Sequence, residues 1–129
     1  MTALKSFGNG YRALVIGASG ALGQAFCDAL EADPGCALVT RLSRNSSPSL
    51  DLEDAASIPR AAEAVAQHAP YHLIIVSSGL LHRPGIRPEK SLSALDADAL
   101  QAVFQVNTLG PALLLRDFLP LLDPQGAMA

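Results

Sequence analysis

Several chemistries are scarce in this sequence, and each scarcity excludes something. Cysteine is limited to Cys27 and Cys36, too few for a disulfide framework and in neither a metal nor a redox spacing. Both read as small buried apolar residues. Lysine and arginine total 9 of 129 residues, spread along a chain of net charge −3. A nucleic-acid surface needs a clustered basic face, so no nucleic acid is expected as a partner. Residues 1–12, MTALKSFGNGYR, hold no apolar stretch of signal-peptide length, and no segment approaches the length that spans a bilayer. The expectation is a soluble cytoplasmic protein with no membrane contact. His68 and His72 are separated by Pro70, which breaks any shared helical face, and His82 has no companion. No metal site is expected. Repeats and low-complexity tracts are absent too. What remains is apolar: 50% of the residues are hydrophobic, which supports a sizeable core and argues against disorder. The length fits one domain, residues 1–129, with about 1–11 as a loose leader.

The chain is organised around Arg12 to Gly23, RALVIGASGALG. Ala13 to Ile16 is short, apolar and bounded by glycine, which reads as a buried strand. Gly17, Gly20 and Gly23 follow, and Gln24 to Leu30 reads as a helix. A strand entering a glycine-rich turn that opens a helix is the context of a nucleotide-binding loop. Gly17 permits the tight turn, Gly20 lets backbone approach a pyrophosphate, and Gly23 lets helix and strand pack closely. N–H groups of the first helical turn then face the phosphates.

Further along, the first helix is predicted over about Ala21–Ala32, ended by Asp33-Pro34-Gly35. Ala37–Leu42 reads as a second strand, and Ser43–Ser49 as a polar loop. Leu50-Asp51-Leu52 reads as a very short third strand. Ser57 is placed to cap a second helix, with Ala61, Ala62, Val65 and Ala66 on one face. Leu73–Val76 is a fourth strand, apolar enough to be covered on both faces. After a mixed loop from Leu80 to Ser93, helix is expected from about Asp96 to Leu122. Its apolar face would hold Leu100, Val103, Phe104, Leu114, Phe118 and Leu121, and Pro111 would kink or divide it. Alternating strands and helices imply a three-layer α/β fold of the Rossmann type, with a doubly wound parallel sheet. The strand order 3-2-1-4 is expected, with the ligand crevice at the carboxyl ends of the strands.

An acidic residue usually lies about twenty positions past such glycines and bonds the ribose hydroxyls. Here Ser43 and Arg44 occupy that region. Arg44 can meet a 2′-phosphate with charge-assisted hydrogen bonds, which favours NADP over NAD, or it is a solvated loop charge. Asp51 could accept from an adenine amino group or cap the next turn. The small residues Ser77-Ser78-Gly79 let a ribose pass close to the backbone, or simply suit a loop. Asn107 sits within a helical stretch beside Gly110-Pro111, which suggests a crevice-facing amide or a bound water, against an exposed outer position.

These segments together resemble the short-chain dehydrogenase/reductase superfamily: Gly17-Ala18-Ser19-Gly20-Ala21-Leu22-Gly23, Leu50-Asp51-Leu52, Ser77–Gly79 and Val106–Pro111. The stretch Gly79 to Lys90 is similar to its C-factor-like, cell-cell signalling branch. The likeness runs from about Arg12 over nearly the whole chain. It implies an NAD(P) cofactor and hydride transfer with a small-molecule carbonyl or alcohol. It would place Gly17, Ser19, Gly20, Leu22 and Gly23 on the pyrophosphate and Arg44 at the 2′-phosphate. Asp51 and Leu52 would lie at the adenine, and Ser78 and Gly79 near the ribose. Asn107 matches the asparagine of the family's catalytic tetrad, which holds a proton-relay water. Two details depart from the family pattern: Ala21 stands where a glycine is usual, and Ser77-Ser78-Gly79 replaces Asn-Ala-Gly.

The family's acid is a tyrosine with a lysine four residues on, downstream of the asparagine, and the lysine lowers the tyrosine's pKa. Tyr11 is followed by Val15 and Tyr71 by Ile75, and the only lysines are Lys5 and Lys90. Neither tyrosine fits the role. The chain is therefore expected to be truncated before the second half of a longer reductase, and to be inactive alone. The far side of the fourth strand would then be left uncovered. The alternatives are a non-catalytic dinucleotide sensor or signalling module, and a structural fragment whose exposed fourth-strand edge pairs with another chain. By family analogy, a homo-oligomer would form through the 96–122 helix.

Overall fold

A computed structural model describes residues 4–79 and 87–129. Strands β1 (Tyr11–Ile16), β2 (Cys36–Leu42), β3 (Tyr71–Val76) and β4 (Leu122–Met128) form one parallel sheet in the order β2-β1-β3-β4. Helix α1 (Ala21–Glu31) links β1 to β2, and α2 (Ser57–Val65) links β2 to β3. Helices α3 (Ala97–Phe104) and α4 (Gly110–Phe118) lie between β3 and β4. The expected α/β Rossmann-type fold is present. The chain leaves β1 to one side and returns to the other, so the switch point lies between β1 and β3, where ligands of such sheets bind.

The run at β1 is apolar throughout because both of its faces are covered. Tyr11, Ala13 and Val15 pack with Cys27 and Leu30 of α1. Leu14 and Ile16 face the opposite layer, with Ile58 and Val65 of α2 and Leu114 and Phe118 of α4. Cys27 is fully buried, whereas Cys36 is half-buried.

Four expectations about the elements are corrected. Leu50-Asp51-Leu52 is not a strand: Leu50 N–H donates to the Ser43 carbonyl and Asp51 N–H to Ser57 Oγ. The alternation still has meaning, since Leu50 and Leu52 are buried, but the backbone is used by loop bonds rather than a ladder. The order 3-2-1-4 therefore does not hold. Ser57 does not cap α2, whose N-cap is Ala56. Its hydroxyl is buried and reaches the carbonyls of Asp51 and Asp54. Ala66 is likewise exposed, because α2 tightens into a 3₁₀ turn at Ala66–His68.

The expected 96–122 helix is three pieces. A π turn at Gln105–Leu109 separates α3 from α4, and Pro111 lies in the first turn of α4, where it has no N–H to satisfy. The wider turn inserts a residue and rotates the apolar stripe. Leu114 and Phe118 are accordingly fully buried while Phe104 is 60% exposed. A 3₁₀ turn at Leu119–Leu121 follows, and the chain then enters β4. This last strand covers the edge of β3 that the sequence reading leaves open. Its pairing is irregular between Tyr71↔Leu122 and Leu73↔Ala127, where Asp123-Pro124-Gln125-Gly126 bulges out. Pro124 explains the interruption, since it cannot donate to a ladder.

The leader is not loose from Leu4 onward. Asp33, 2% exposed, accepts from Leu4 N–H at 2.8 Å, Tyr11 O–H at 2.7 Å and Gly35 N–H at 2.8 Å. These bonds, the one from Leu4 foremost, hold its carboxyl below the usual range against the opposing effect of burial. A carboxylate with a lowered folded pKa stabilises the fold above its unfolded value of about 3.9 and loses that contribution as pH falls through the folded value. Asp33→Asn should therefore lower Tm at pH 7, and the gap to the native chain should close only below about pH 3.9. A gap that stays constant down to pH 2 in thermal melts would count against the clasp.

Candidate functional site

At the carboxyl ends of β1, β2 and β3 lies a cleft of about 260 Å³. Its floor is the glycine turn. Gly17 has φ +85°, and a Cβ there would stand 2.7 Å from Ser78 Oγ and 2.8 Å from Ser78 N. No other residue type suits both the conformation and the space. Gly17 and Ala18 N–H both donate to the Leu42 carbonyl, at 2.8 and 3.1 Å, which fixes the turn against the end of β2. Ser77 Oγ, 3.0 Å from the Ile16 carbonyl, fixes it against the exit of β3. Gly20 is the N-cap of α1 and supplies no side-chain cap, so the helix N-terminus presents backbone N–H groups beside the cleft.

Of the candidate residues, Gly17, Ser19, Gly20, Arg44, Asp51, Leu52, Ser78 and Gly79 all line this one cleft. Leu22 and Gly23 do not. Leu22 is 61% exposed on α1. Gly23 is buried, and a Cβ on it would overlap the Gly17 carbonyl oxygen; its place is the close packing of helix on turn. Asp51 lines the wall while its Oδ1 accepts from Glu53 N–H at 2.9 Å, so cleft position and turn cap coexist. Arg44 is exposed on the wall and, among the described residues, its guanidinium has no ion pair.

Asn107 is exposed and lies in the π turn, with its Oδ1 3.7 Å from a Cβ placed on Gly79. The turn carries it to the exit of β3. The preceding Val106 lines the cleft, and Gln105 Nε2 donates to the Leu52 carbonyl at 3.1 Å. This bond ties the turn to the wall opposite Arg44's loop. Ser43, Leu50, Glu53, Ser77 and Val106 join the wall without having been singled out as site residues. Their signal was position alone, next to residues that were.

Both tyrosines lie at the amino ends of their strands, away from the cleft. Tyr11 O–H donates to Asp33, and Tyr71 O–H donates to the Val65 carbonyl at 2.8 Å. Burial, first among the causes, pushes both phenols above their ordinary range. His68 is exposed in a 3₁₀ turn, and His72 Nδ1 accepts from Arg12 N–H at 3.0 Å. No cluster of three or more His, Cys, Asp or Glu suited to a metal occurs among the described residues. No helix among them is long and apolar enough to cross a membrane. His82 and most of the stretch that resembles the C-factor-like branch lie outside the described residues.

No family model matches the chain, and neither does any curated protein. Solved structures do. A short-chain dehydrogenase from Burkholderia cenocepacia in complex with NADP matches at 28% identity and TM-score 0.73, over 93% of this chain and 51% of its own. An NADPH-bound carbonyl reductase from chicken fatty liver matches at 23% identity and TM-score 0.74, over 88% of this chain and 49% of its own. A variant short-chain dehydrogenase/reductase from Serratia marcescens matches at 19% identity and TM-score 0.75, over 93% and 56%. The fold is thus that of short-chain dehydrogenases and reductases, and the chain spans about half the length of these proteins.

If the cleft takes a dinucleotide, Gly17→Ala should raise the dissociation constant for it at least about tenfold, equivalent to about 1.4 kcal/mol. The added methyl must displace Ser78 and strain a positive φ. Fluorescence titration checks this, and an unchanged constant in a folded variant would show that the turn is not part of the binding surface.

Proposed function

We propose that this chain is a short-chain dehydrogenase/reductase of the C-factor-like branch that binds NADP in preference to NAD and serves hydride transfer with a carbonyl or alcohol. One observation carries the reading: the glycine turn, Arg44, Asp51 with Leu52, and Ser78 with Gly79 line a single cleft at the carboxyl ends of the strands. The chemistry of the wall fits the group. Ser19 and Gly20 at the start of α1 would hold the pyrophosphate and Arg44 the 2′-phosphate. Asp51 and Leu52 would flank the adenine, and Ser78 and Gly79 the ribose. Bound there, the dinucleotide supplies the hydride. Asn107 would hold a water for proton relay, since its amide stands by Gly79 at the end of β3. The crystal partners of the similar proteins, NADPH and NADP, support the choice of cofactor.

The proton donor is a separate matter. Tyr11 and Tyr71 are the chain's only tyrosines, and both are buried away from the cleft. The 129 residues by themselves are therefore expected to bind the dinucleotide and to show little or no turnover. The outer faces of α3 and α4 expose Phe104 and Leu115, and the adjoining turns expose Leu109 and Leu119, which supports pairing of two copies through this region.

Titration with NADPH and NADH, followed by nicotinamide fluorescence, tests the reading. NADPH should bind more tightly, and Arg44→Ala should weaken it about 10- to 100-fold, the worth of hydrogen bonds to a charged group at about 1.5–3 kcal/mol. NADH should change little. Equal affinities in the native chain would sink the NADP preference, and absent binding the whole reading. Robust carbonyl reduction by this chain alone would overturn the expected inactivity.

A further inference from the structure

The loop that carries Arg44 is a closed polar network, and one hydroxyl does most of the stitching. Ser46 Oγ accepts from Ser43 N–H at 2.8 Å. Its single proton is shared between the Ser43 carbonyl at 2.9 Å and the Pro48 carbonyl at 2.7 Å. The Ser43 carbonyl also accepts Leu50 N–H at 2.9 Å, which closes the loop at its base. Asn45 N–H donates to Ser43 Oγ at 3.1 Å, and Ser49 Oγ donates to the Arg44 carbonyl at 2.9 Å. The backbone on both sides of Arg44 is therefore held, while the guanidinium stands exposed on the cleft wall.

Ser46 does not line the cleft itself. A loop of Arg, Asn, Ser and Pro in water has many conformers, and ordering it when a ligand arrives subtracts from affinity. Holding it beforehand removes that cost for whatever Arg44 binds. We infer that Ser46 is a positioning residue that sets NADP-over-NAD selectivity by fixing the backbone that presents Arg44. This rests on the reading in which Arg44 meets the 2′-phosphate.

Removing the hydroxyl leaves Ser43 N–H, in a buried residue, without its acceptor, and releases the Pro48 carbonyl. The geometry of Arg44 then loosens, whereas the glycine turn, tied to Leu42 and Ile16, does not depend on Ser46. The effect should therefore fall on the ligand that carries the 2′-phosphate and spare the one that lacks it.

The test is the ratio of NADH to NADPH dissociation constants for the native chain, Ser46→Ala, Ser46→Thr, Arg44→Ala and the Ser46→Ala/Arg44→Ala double variant, with melts alongside. Ser46→Ala should lower the ratio about fivefold, the worth of a neutral hydrogen-bond network. Its NADH constant should stay within about twofold of native, which also reports an intact fold. Ser46→Thr, which keeps the hydroxyl, should restore the ratio. In the Arg44→Ala background the Ser46 substitution should add nothing. A native ratio in folded Ser46→Ala overturns the inference about Ser46 while Arg44→Ala still reports on the 2′-phosphate. An Arg44→Ala variant with native selectivity overturns both. Equal loss of NADH and NADPH binding in Ser46→Ala assigns the residue a merely structural part and overturns the selectivity claim.

Discussion

Everything in the cleft depends on how closely α1 can sit on the end of β1. The Gly17 carbonyl points at the position where Gly23 would otherwise carry a side chain, and Gly17 itself turns with φ +85° beneath Ser78. Two absent side chains thus let a helix N-terminus, the end of β1 and the exit of β3 meet within contact distance. The same turn accepts hydrogen-bonding anchors on two sides, from Leu42 and Ser77. A wider turn would separate the helix N-terminus from the strand ends and leave no shared wall.

The second wall is set by the break between α3 and α4. An uninterrupted helix could not have placed Leu114 and Phe118 in the core while also aiming Asn107 at Gly79. The π turn reconciles the two, because one extra residue rotates the following segment relative to the preceding one. Gly110 fits the same break, with Leu52 Cβ and the Gln105 carbonyl both 3.0 Å from where its Cβ would be. Gln105 then bonds the Leu52 carbonyl, so the wall near the adenine region and the turn that carries Asn107 share a mechanical link.

The two ends of the sheet are built from opposite materials. The amino ends hold Asp33, Tyr11 and Tyr71, buried and mutually satisfied, with the leader clasped onto them. The carboxyl ends are ringed by serine hydroxyls, glycine backbone and one unpaired arginine. Burial consumes the hydrogen-bonding capacity of the first set, whereas the second keeps its donors for a ligand.

The sequence alone determined the alternation of strand and helix, because an apolar run covered on both faces and a glycine turn each have few conformational solutions. It also identified most of the cleft: the Gly17–Gly20 turn, Arg44, Asp51, Leu52, Ser78 and Gly79 are each marked by local chemistry that does not await a partner. Other features were decided by contacts distant in the chain. Leu50-Asp51-Leu52 has a strand's alternation, yet its N–H groups go to Ser43 and Ser57, and no local signal shows that competition. Residues 122–128 contain Pro124 and Gly126, poor strand formers, and become β4 because β3 offers them an unpaired edge. Gly23 and Leu22 share a motif with Gly20 but not its wall, since the helix carries successive residues around its axis and only one side faces the cleft. Local pattern is enough where backbone conformation is the constraint; where hydrogen-bond partners compete across the chain, only the packed structure chooses.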